Sequence, residues 1–285
     1  MTATTTPVYN PVISNSNSVT VLGCVARDPE VRVNKDTGRK FMMVTVAGEE
    51  LVTDAEGKLR RLPFYEQATY AGKRADQVIA LGLKAGDAVL MDGKFTMRDV
   101  VDKDGNEEKK LEIEYTIRRA LGFGKAERTT DAGGALRLVG GFAKATVYGK
   151  IIGKGGELRY TKNGQPVLNF SVNARASWKD ASDEWQNTAA FVRTTVWGPL
   201  AEALAELEPA KGMEALIEGR PNRGSFEKDG RKVYTLDVTA SRVVLAEGAQ
   251  NGGSGGGGSA SLDSLPSFDD MFGGTDDGDS DDLPF

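Results

Sequence analysis

The chain repeats itself at an interval of 126 residues, and this repeat limits its fold more than any other feature. Gly23, Gly38, Gly72, Gly86 and Gly93 recur as Gly149, Gly164, Gly198, Gly212 and Gly219, and Ala75 and Ala201 keep the same offset. Five glycines recurring in order, each in a matching apolar context, indicate two copies of one domain. An interval this long is a duplicated domain rather than a solenoid unit. At 285 residues and 39% hydrophobic, the chain is long enough to bury two cores.

Each copy reads mostly as strands. In the first, residues 19–26, 41–47, 64–71, 88–95 and 111–117 form β-branched, aromatic or alternating runs. Asp104-Gly105 and Asp229-Gly230 read as hairpin turns between the last two strands of each copy. One helix interrupts each set: Ala75, Ile79 and Leu83 fall at i, i+4, i+8, and Leu200, Leu204 and Leu207 at i, i+4, i+7. Pro199 suits a first helical turn, and Gly86 and Gly212 suit the stop. Five strands with a helix between the third and fourth predict a mainly all-β chain of two tandem OB-folds, five-stranded Greek-key barrels with one helix each. A small antiparallel sandwich is the structural alternative. The expected order is a loose arm over 1–18, OB-fold 1 over 19–121, an inter-domain connector over 122–141 and OB-fold 2 over 142–246. A Gly-rich disordered linker over 247–275 and an acidic tip over 276–285 follow.

The net charge of −5 conceals two opposite parts. From Glu247 onward there are nine acidic residues and no Lys or Arg, so the preceding 246 residues carry +4. A mildly basic body with a detached acidic tail suits a polyanionic partner. Cys24 is the only cysteine and there is no histidine, which removes disulfides, His-dependent nucleophile systems and the usual zinc sites. Residues 149–154 match a phosphate loop only loosely, and Gly155 stands where a Ser or Thr would hold magnesium. The Asp cluster at 276–282 lacks the spacing and closing Glu of a calcium loop. The expectation is a binding protein without catalytic residues, metal or cofactor. With no long apolar run and no signal pattern, a cytoplasmic location is expected.

Aromatic and basic residues interleave in the second copy. Trp178 and Trp185 fall in the hairpin between the second and third strands, with Arg175 and Lys179 beside Trp178. Phe191 and Trp197 are six apart on one strand, and so share a face. Tyr160 follows Arg159, and Phe226 follows Arg220 and Arg223. Rings that stack on bases at roughly 1–3 kcal/mol each, among cations that track phosphates, suit single-stranded nucleic acid. Core packing is the alternative for each ring, and it weighs most on Trp197, at the end of an apolar strand. At the 126-residue offset the first copy has Val52, Ala71 and Val100 in place of Trp178, Trp197 and Phe226, and keeps one ring, Tyr65, for Phe191. Its cations are Arg27, Arg32, Arg39, Lys40, Arg60, Arg61 and Lys73, so phosphate contacts should outweigh stacking there. A solvated charged face is the alternative.

The segment Gly23-Cys-Val-Ala-Arg27-Asp28-Pro29-Glu30-Val-Arg32 resembles the first hairpin of bacterial single-stranded DNA-binding proteins. Trp178-Lys179-Asp180, Phe191-Val-Arg193 and Val196-Trp197-Gly198-Pro-Leu-Ala201-Glu202 are similar to that family too, as is the closing Asp281-Asp282-Leu283-Pro284-Phe285. Two barrels in one chain most resemble the Deinococcus–Thermus branch, whose members pair as homodimers presenting four OB-folds. The resemblance assigns stacking to Trp178, Phe191, Trp197 and Phe226, and Arg193 joins the cations expected to contact phosphates. It gives the tip, Asp281 to Phe285, the role of docking replication, recombination and repair proteins. Phe191 stands where the family usually has Trp, and Lys154-Gly155-Gly156-Glu157 replaces the Arg-Asp-Pro-Glu turn in the second copy. The implied function is to bind and protect single-stranded DNA without strong sequence preference. The alternatives are an OB-fold protein scaffold, an RNA-binding protein or, remotely, a magnesium-dependent nuclease.

Overall fold

The computed structural model describes residues 17–53, 57–101, 107–179, 184–228 and 231–246. The Asp104-Gly105 and Asp229-Gly230 turns, most of the N-terminal arm, the Gly-rich linker and the acidic tip lie outside the described residues. The first copy runs β1 (Ser18–Val25), β2 (Glu30–Val33), β3 (Lys40–Thr53), β4 (Leu59–Ala71), α1 (Lys73–Ala80), β5 (Ala88–Val101) and β6 (Glu107–Arg119). A short hairpin follows, β7 (Arg128–Thr130) and β8 (Leu136–Val139). The second copy runs β9 (Phe142–Tyr160), β10 (Pro166–Lys179), β11 (Trp185–Trp197), α2 (Pro199–Ala205), β12 (Glu214–Lys228) and β13 (Arg231–Ala246). Two compact units result, one of 18–95 with 112–145, the other of the described residues in 96–111 and 146–284.

In the second copy β9 pairs with β10, β10 with β11, β11 with β13, β13 with β12, and β12 with β9, which closes a five-stranded barrel. The closing seam is the parallel pairing of β11 with β13, from Arg193 opposite Asp237 to Val196 opposite Ala240. With a helix between its third and fourth strands, this is the OB-fold. The first copy has the same strand order, β4-β3-β1-β5-β6. At its β4–β6 seam, Tyr115 Oη donates to the buried Glu66 Oε2 at 3.0 Å. Even-numbered residues of the central hairpins point into the barrels: Met42, Val44 and Val46 in one, Leu168, Phe170 and Val172 in the other, all at 4% exposure or less. Each such side chain contributes about 1.5–3 kcal/mol by leaving water. Cys24 is fully buried, and burial pushes its thiol up to about 11, so it behaves as a small apolar side chain.

The repeat survives as register. Phe41 pairs with Ala71 and Ala47 with Tyr65 in β3–β4, while Val167 pairs with Trp197 and Asn173 with Phe191 in β10–β11. Every pair is displaced by 126 in both members. The recurring glycines explain why the interval is strict. Gly72 and Gly198 precede the two helices at φ 57° and φ 65°, where a side chain is strained. At Gly23 and Gly149 a Cβ would lie 2.8 Å from Ala47 O and 2.3 Å from Asn173 O on the neighbouring strand.

Several sequence expectations change: α1 ends at Ala80, so Leu83 lies beyond the helix, though buried at 4%. α2 ends at Ala205, so Leu204 is buried at 3% while Leu207 lies beyond the helix at 60% exposure. The i+7 spacing therefore counted a residue of the following turn as part of the helix. The central hairpins also run past the alternating runs that announced them, β3 to Thr53 and β4 back to Leu59. Their outer ends are largely solvent-exposed, so no apolar alternation marks them.

The segment 122–141 is itself structured. β8 adds to β3 in parallel, with Gly48 opposite Leu138 and Glu49 opposite Val139, and β7 pairs with β8. Leu138 is 1% exposed and packs with Leu22 and Cys24.

Candidate nucleic-acid interface

The odd-numbered residues of the central hairpins form the outer face of each barrel. On β11 this face carries Phe191, Arg193, Thr195 and Trp197, opposite Asn173, Ser171, Asn169 and Val167 of β10. Its polar residues are partly organised among themselves, since Thr195 Oγ1 donates to Asn169 Oδ1 at 2.8 Å. Asn173 Oδ1 is buried with no hydrogen-bond partner. Asp237, opposite Arg193 across the parallel seam, has its carboxyl pushed above the usual range by burial, with the Arg193 guanidinium opposing. The alternation of Asn169, Ser171 and Asn173 with Leu168, Phe170 and Val172 is legible in the sequence and could have marked this face.

The predicted rings fare differently. Trp197 is half-buried at the end of β11, beside α2. Phe191 is enclosed at 8% exposure, which leaves a base almost no ring to stack on in this conformation. Phe191 stays on the outer face by register, paired with the buried Asn173, but it is covered where the sequence pattern left it open. Backbone pairing puts Trp178 opposite Gln186 and Lys179 opposite Trp185. The side chains of Trp178, Trp185, Phe226, Arg175 and Lys179 lie outside the described residues. Arg159 on β9 is exposed, paired with Glu157 at 3.2 Å, and stands opposite Val167. Arg223 is exposed on β12 and Arg220 half-buried, and both have partners.

On the first barrel the outer face carries Phe41, Met43, Thr45 and Ala47 of β3 opposite Ala71, Thr69, Gln67 and Tyr65 of β4. A cleft of about 350 Å³ lies along it, lined by Arg27, Pro29, Met43, Thr45, Tyr65 and Asp131 among others. Tyr65 is 40% exposed, and its hydroxyl donates to Asp131 Oδ2 at 2.6 Å. Most of the predicted cations are engaged. Arg27 Nη2 donates to Gly133 O at 2.5 Å, Arg32 pairs with Glu30 at 2.8 Å, Lys40 with Asp76 at 2.8 Å and Arg61 with Glu49 at 3.3 Å. The Arg39 guanidinium lies over the Phe41 ring, 5.6 Å from its centroid. Lys73 is exposed at the start of α1. The exposed Arg32–Glu30 and Lys40–Asp76 pairs are worth at most about 1 kcal/mol each, so a phosphate can exchange for the carboxylate there with little loss. Among the described residues no group of three or more Cys, Asp or Glu could hold a metal ion. Among them, too, no helix is long and apolar enough to cross a membrane.

The single-strand binding protein family model matches this chain twice, over residues 16–119 and 142–246. The chain belongs to that family. A single-stranded DNA-binding protein of Deinococcus radiodurans is 34% identical over 241 residues, covering 84% of this chain and 78% of the relative. One from Thermus thermophilus is 27% identical, covering 82% and 95%. The crystal structure of the wild-type Thermus aquaticus single-stranded DNA-binding protein superposes with a TM-score of 0.54 at 22% identity, over 84% of this chain and 96% of that one. This likeness supports the same fold. The two family matches leave out residues 120–141, where the β7–β8 hairpin lies.

Proposed function

We propose that this chain binds single-stranded DNA without strong sequence preference. The observation that carries the reading is the outer face of the second barrel, where Arg159, Val167 and Trp197 form one row across β9, β10 and β11, with Arg193 further along β11. A ring and cations on the second- and third-strand face of an OB-fold suit what every nucleotide offers, a flat base and a phosphate. The relatives named above carry that activity in their names, which supports the same reading here. The work is binding energy spread over many nucleotides and needs no bond chemistry. In this reading the protein acts in the cytoplasm, as a homodimer presenting four barrels, and protects single strands during replication, recombination and repair. The tip from Asp281 to Phe285 recruits partner proteins: its acidic run and the terminal Leu283-Pro284-Phe285 suit a pocket with an apolar floor and a basic rim.

Titration with oligo-dT tests the central claim. Tryptophan emission should be quenched, and log K should fall with log salt at about −0.7 per phosphate contacted. Mass and stoichiometry on poly-dT at two salt concentrations test the dimer. Affinity that is nearly absent at low salt would overturn DNA binding and favour a protein scaffold. Tighter binding of U than dT oligomers would favour RNA.

A further inference from the structure

Counting by the 126-residue offset, the first barrel has Ala71 where the second has Trp197. The strand register keeps this offset and adds the cross-strand partner of each residue. Trp197 of β11 is paired with Val167 of β10, and Ala71 of β4 with Phe41 of β3. These are the same pair in the two barrels, with large and small residues exchanged between strands. Directly paired residues of an antiparallel ladder share a face, with Cβ atoms about 4.5–5.5 Å apart. The ring has moved one strand across and kept its place on the face. The next strand agrees: Arg32 of β2 stands opposite Phe41, and Arg159 of β9 opposite Val167. Each arginine pairs with the glutamate two residues before it, at 2.8 Å and 3.2 Å.

We propose that Phe41 is a base-stacking ring of the first barrel, taking the part that Trp197 takes in the second. This rests on the single-stranded DNA reading above. Phe41 is half-buried on the outer face, so part of its ring is open. It lies six residues along β3 from Ala47, the partner of Tyr65, which separates the two ring positions by roughly 20 Å. The second barrel has the same separation between the pairs that hold Phe191 and Trp197. Two cations flank Phe41 in the chain fold. Arg39 lies over the ring, and Lys73 follows Gly72, whose N–H donates to Lys40 O at 2.9 Å. Among the described residues neither the Arg39 guanidinium nor the Lys73 ammonium has an acidic partner. The second barrel has Gln165 and Pro199 at these two places. The first barrel therefore combines a smaller ring with two cations available to the flanking phosphates, where the second relies on the larger ring.

The test uses the full chain. Phe41→Trp is made together with Trp178→Phe, Trp185→Phe and Trp197→Phe, so that emission reports position 41 alone. Saturation with oligo-dT should quench it. Unchanged emission, while anisotropy of a labelled oligo-dT reports binding, would overturn the assignment. A second series keeps the natural tryptophans. Phe41→Ala and Phe41→Leu should each weaken oligo-dT binding by about 5- to 150-fold, while Phe41→Tyr stays near wild type. Wild-type affinity in Phe41→Leu would mean that the ring only packs. If the wild-type chain itself fails to bind oligo-dT, the functional reading falls and this one with it. If wild type binds and Phe41→Leu binds equally, only the Phe41 assignment falls.

Discussion

Tyr65 Oη donates a 2.6 Å hydrogen bond to Asp131 Oδ2, tying the outer face of β4 to the turn between β7 and β8. The same turn accepts a bond from Arg27 through Gly133 O, and Asp131 Oδ1 accepts the N–H groups of Gly133 and Ala135. The segment between the copies thus forms one wall of the cleft on the first barrel.

The Tyr65–Asp131 bond sets opposite shifts on its partners. The Tyr65 hydroxyl, with the Ala135 and Gly133 N–H groups, holds the Asp131 carboxyl below its ordinary range. Burial, and then the Asp131 bond, push the Tyr65 phenol up. Asp131 therefore contributes stability that is present above the ordinary carboxylate range and lost as pH falls through its depressed value. Tyr65 contributes stability that is present below the ordinary phenol range and lost as pH rises through its raised value. In Tyr65→Phe, carbon NMR should show the Asp131 carboxyl titrating at higher pH. An unmoved titration would contradict the bond.

Glu49 is a buried carboxylate, 4% exposed, that is ion-paired with Arg137 at 3.1 Å and accepts hydrogen bonds from Arg61 at 3.3 Å and Thr129 Oγ1 at 2.8 Å. Arg137→Met leaves that charge under-compensated and should cost about 2–3 kcal/mol in denaturant unfolding. Hydrogen exchange should accelerate at the β3–β8 ladder, around Leu138. An unchanged midpoint would mean that Arg61 and Thr129 suffice.

Gly72→Ala and Gly198→Ala should destabilise by similar amounts, about 1–3 kcal/mol each, because both glycines sit in backbone regions open mainly to glycine. At Gly198 an added Cβ meets nothing within 4 Å, and at Gly72 only Arg39 Nε at 3.7 Å, so the cost is backbone strain alone. Calorimetry of the two variants checks this, and a large inequality would contradict it.

Asp237 differs in sign from Asp131. Burial raises its carboxyl, and Arg193 only partly offsets that, so the charged form opposes folding. The cost is present above the raised value and is relieved as pH falls toward the ordinary carboxylate range. Asp237→Asn should therefore be neutral or stabilising at pH 7 and should flatten the pH dependence of unfolding between those limits. Strong destabilisation at pH 7 would show that attraction to the Arg193 charge dominates.

In the proposed reading the acidic tip competes with DNA for cations of the barrels, so removal of residues 276–285 should leave oligo-dT affinity intact or slightly tighter. Pull-down of partner proteins should be lost. Weaker DNA binding after truncation would count against this.

Much of the fold was legible from local pattern. The glycine interval required two copies, and the six-residue spacing of Phe191 and Trp197 put them on one face, because each strand carries its own period of two. The helix ends and the projecting hairpin ends were not legible, since exposed residues there carry no apolar signal. The folding of 122–141 onto β3 was hidden for another reason: it depends on Leu138 finding Leu22 and Cys24, more than a hundred residues away.

The sequence by itself determined the duplication, the order of the main strands and helix in each copy and which residues of each strand share a face. Tertiary structure alone decided what stands beside what across strands. An offset compares Trp197 with Ala71, along one strand, whereas a face is built from paired strands, where Trp197 and Val167 match Ala71 and Phe41. Pairing joins residues thirty apart in the chain, and so no local pattern along either strand records that the ring stands on the other strand of the pair.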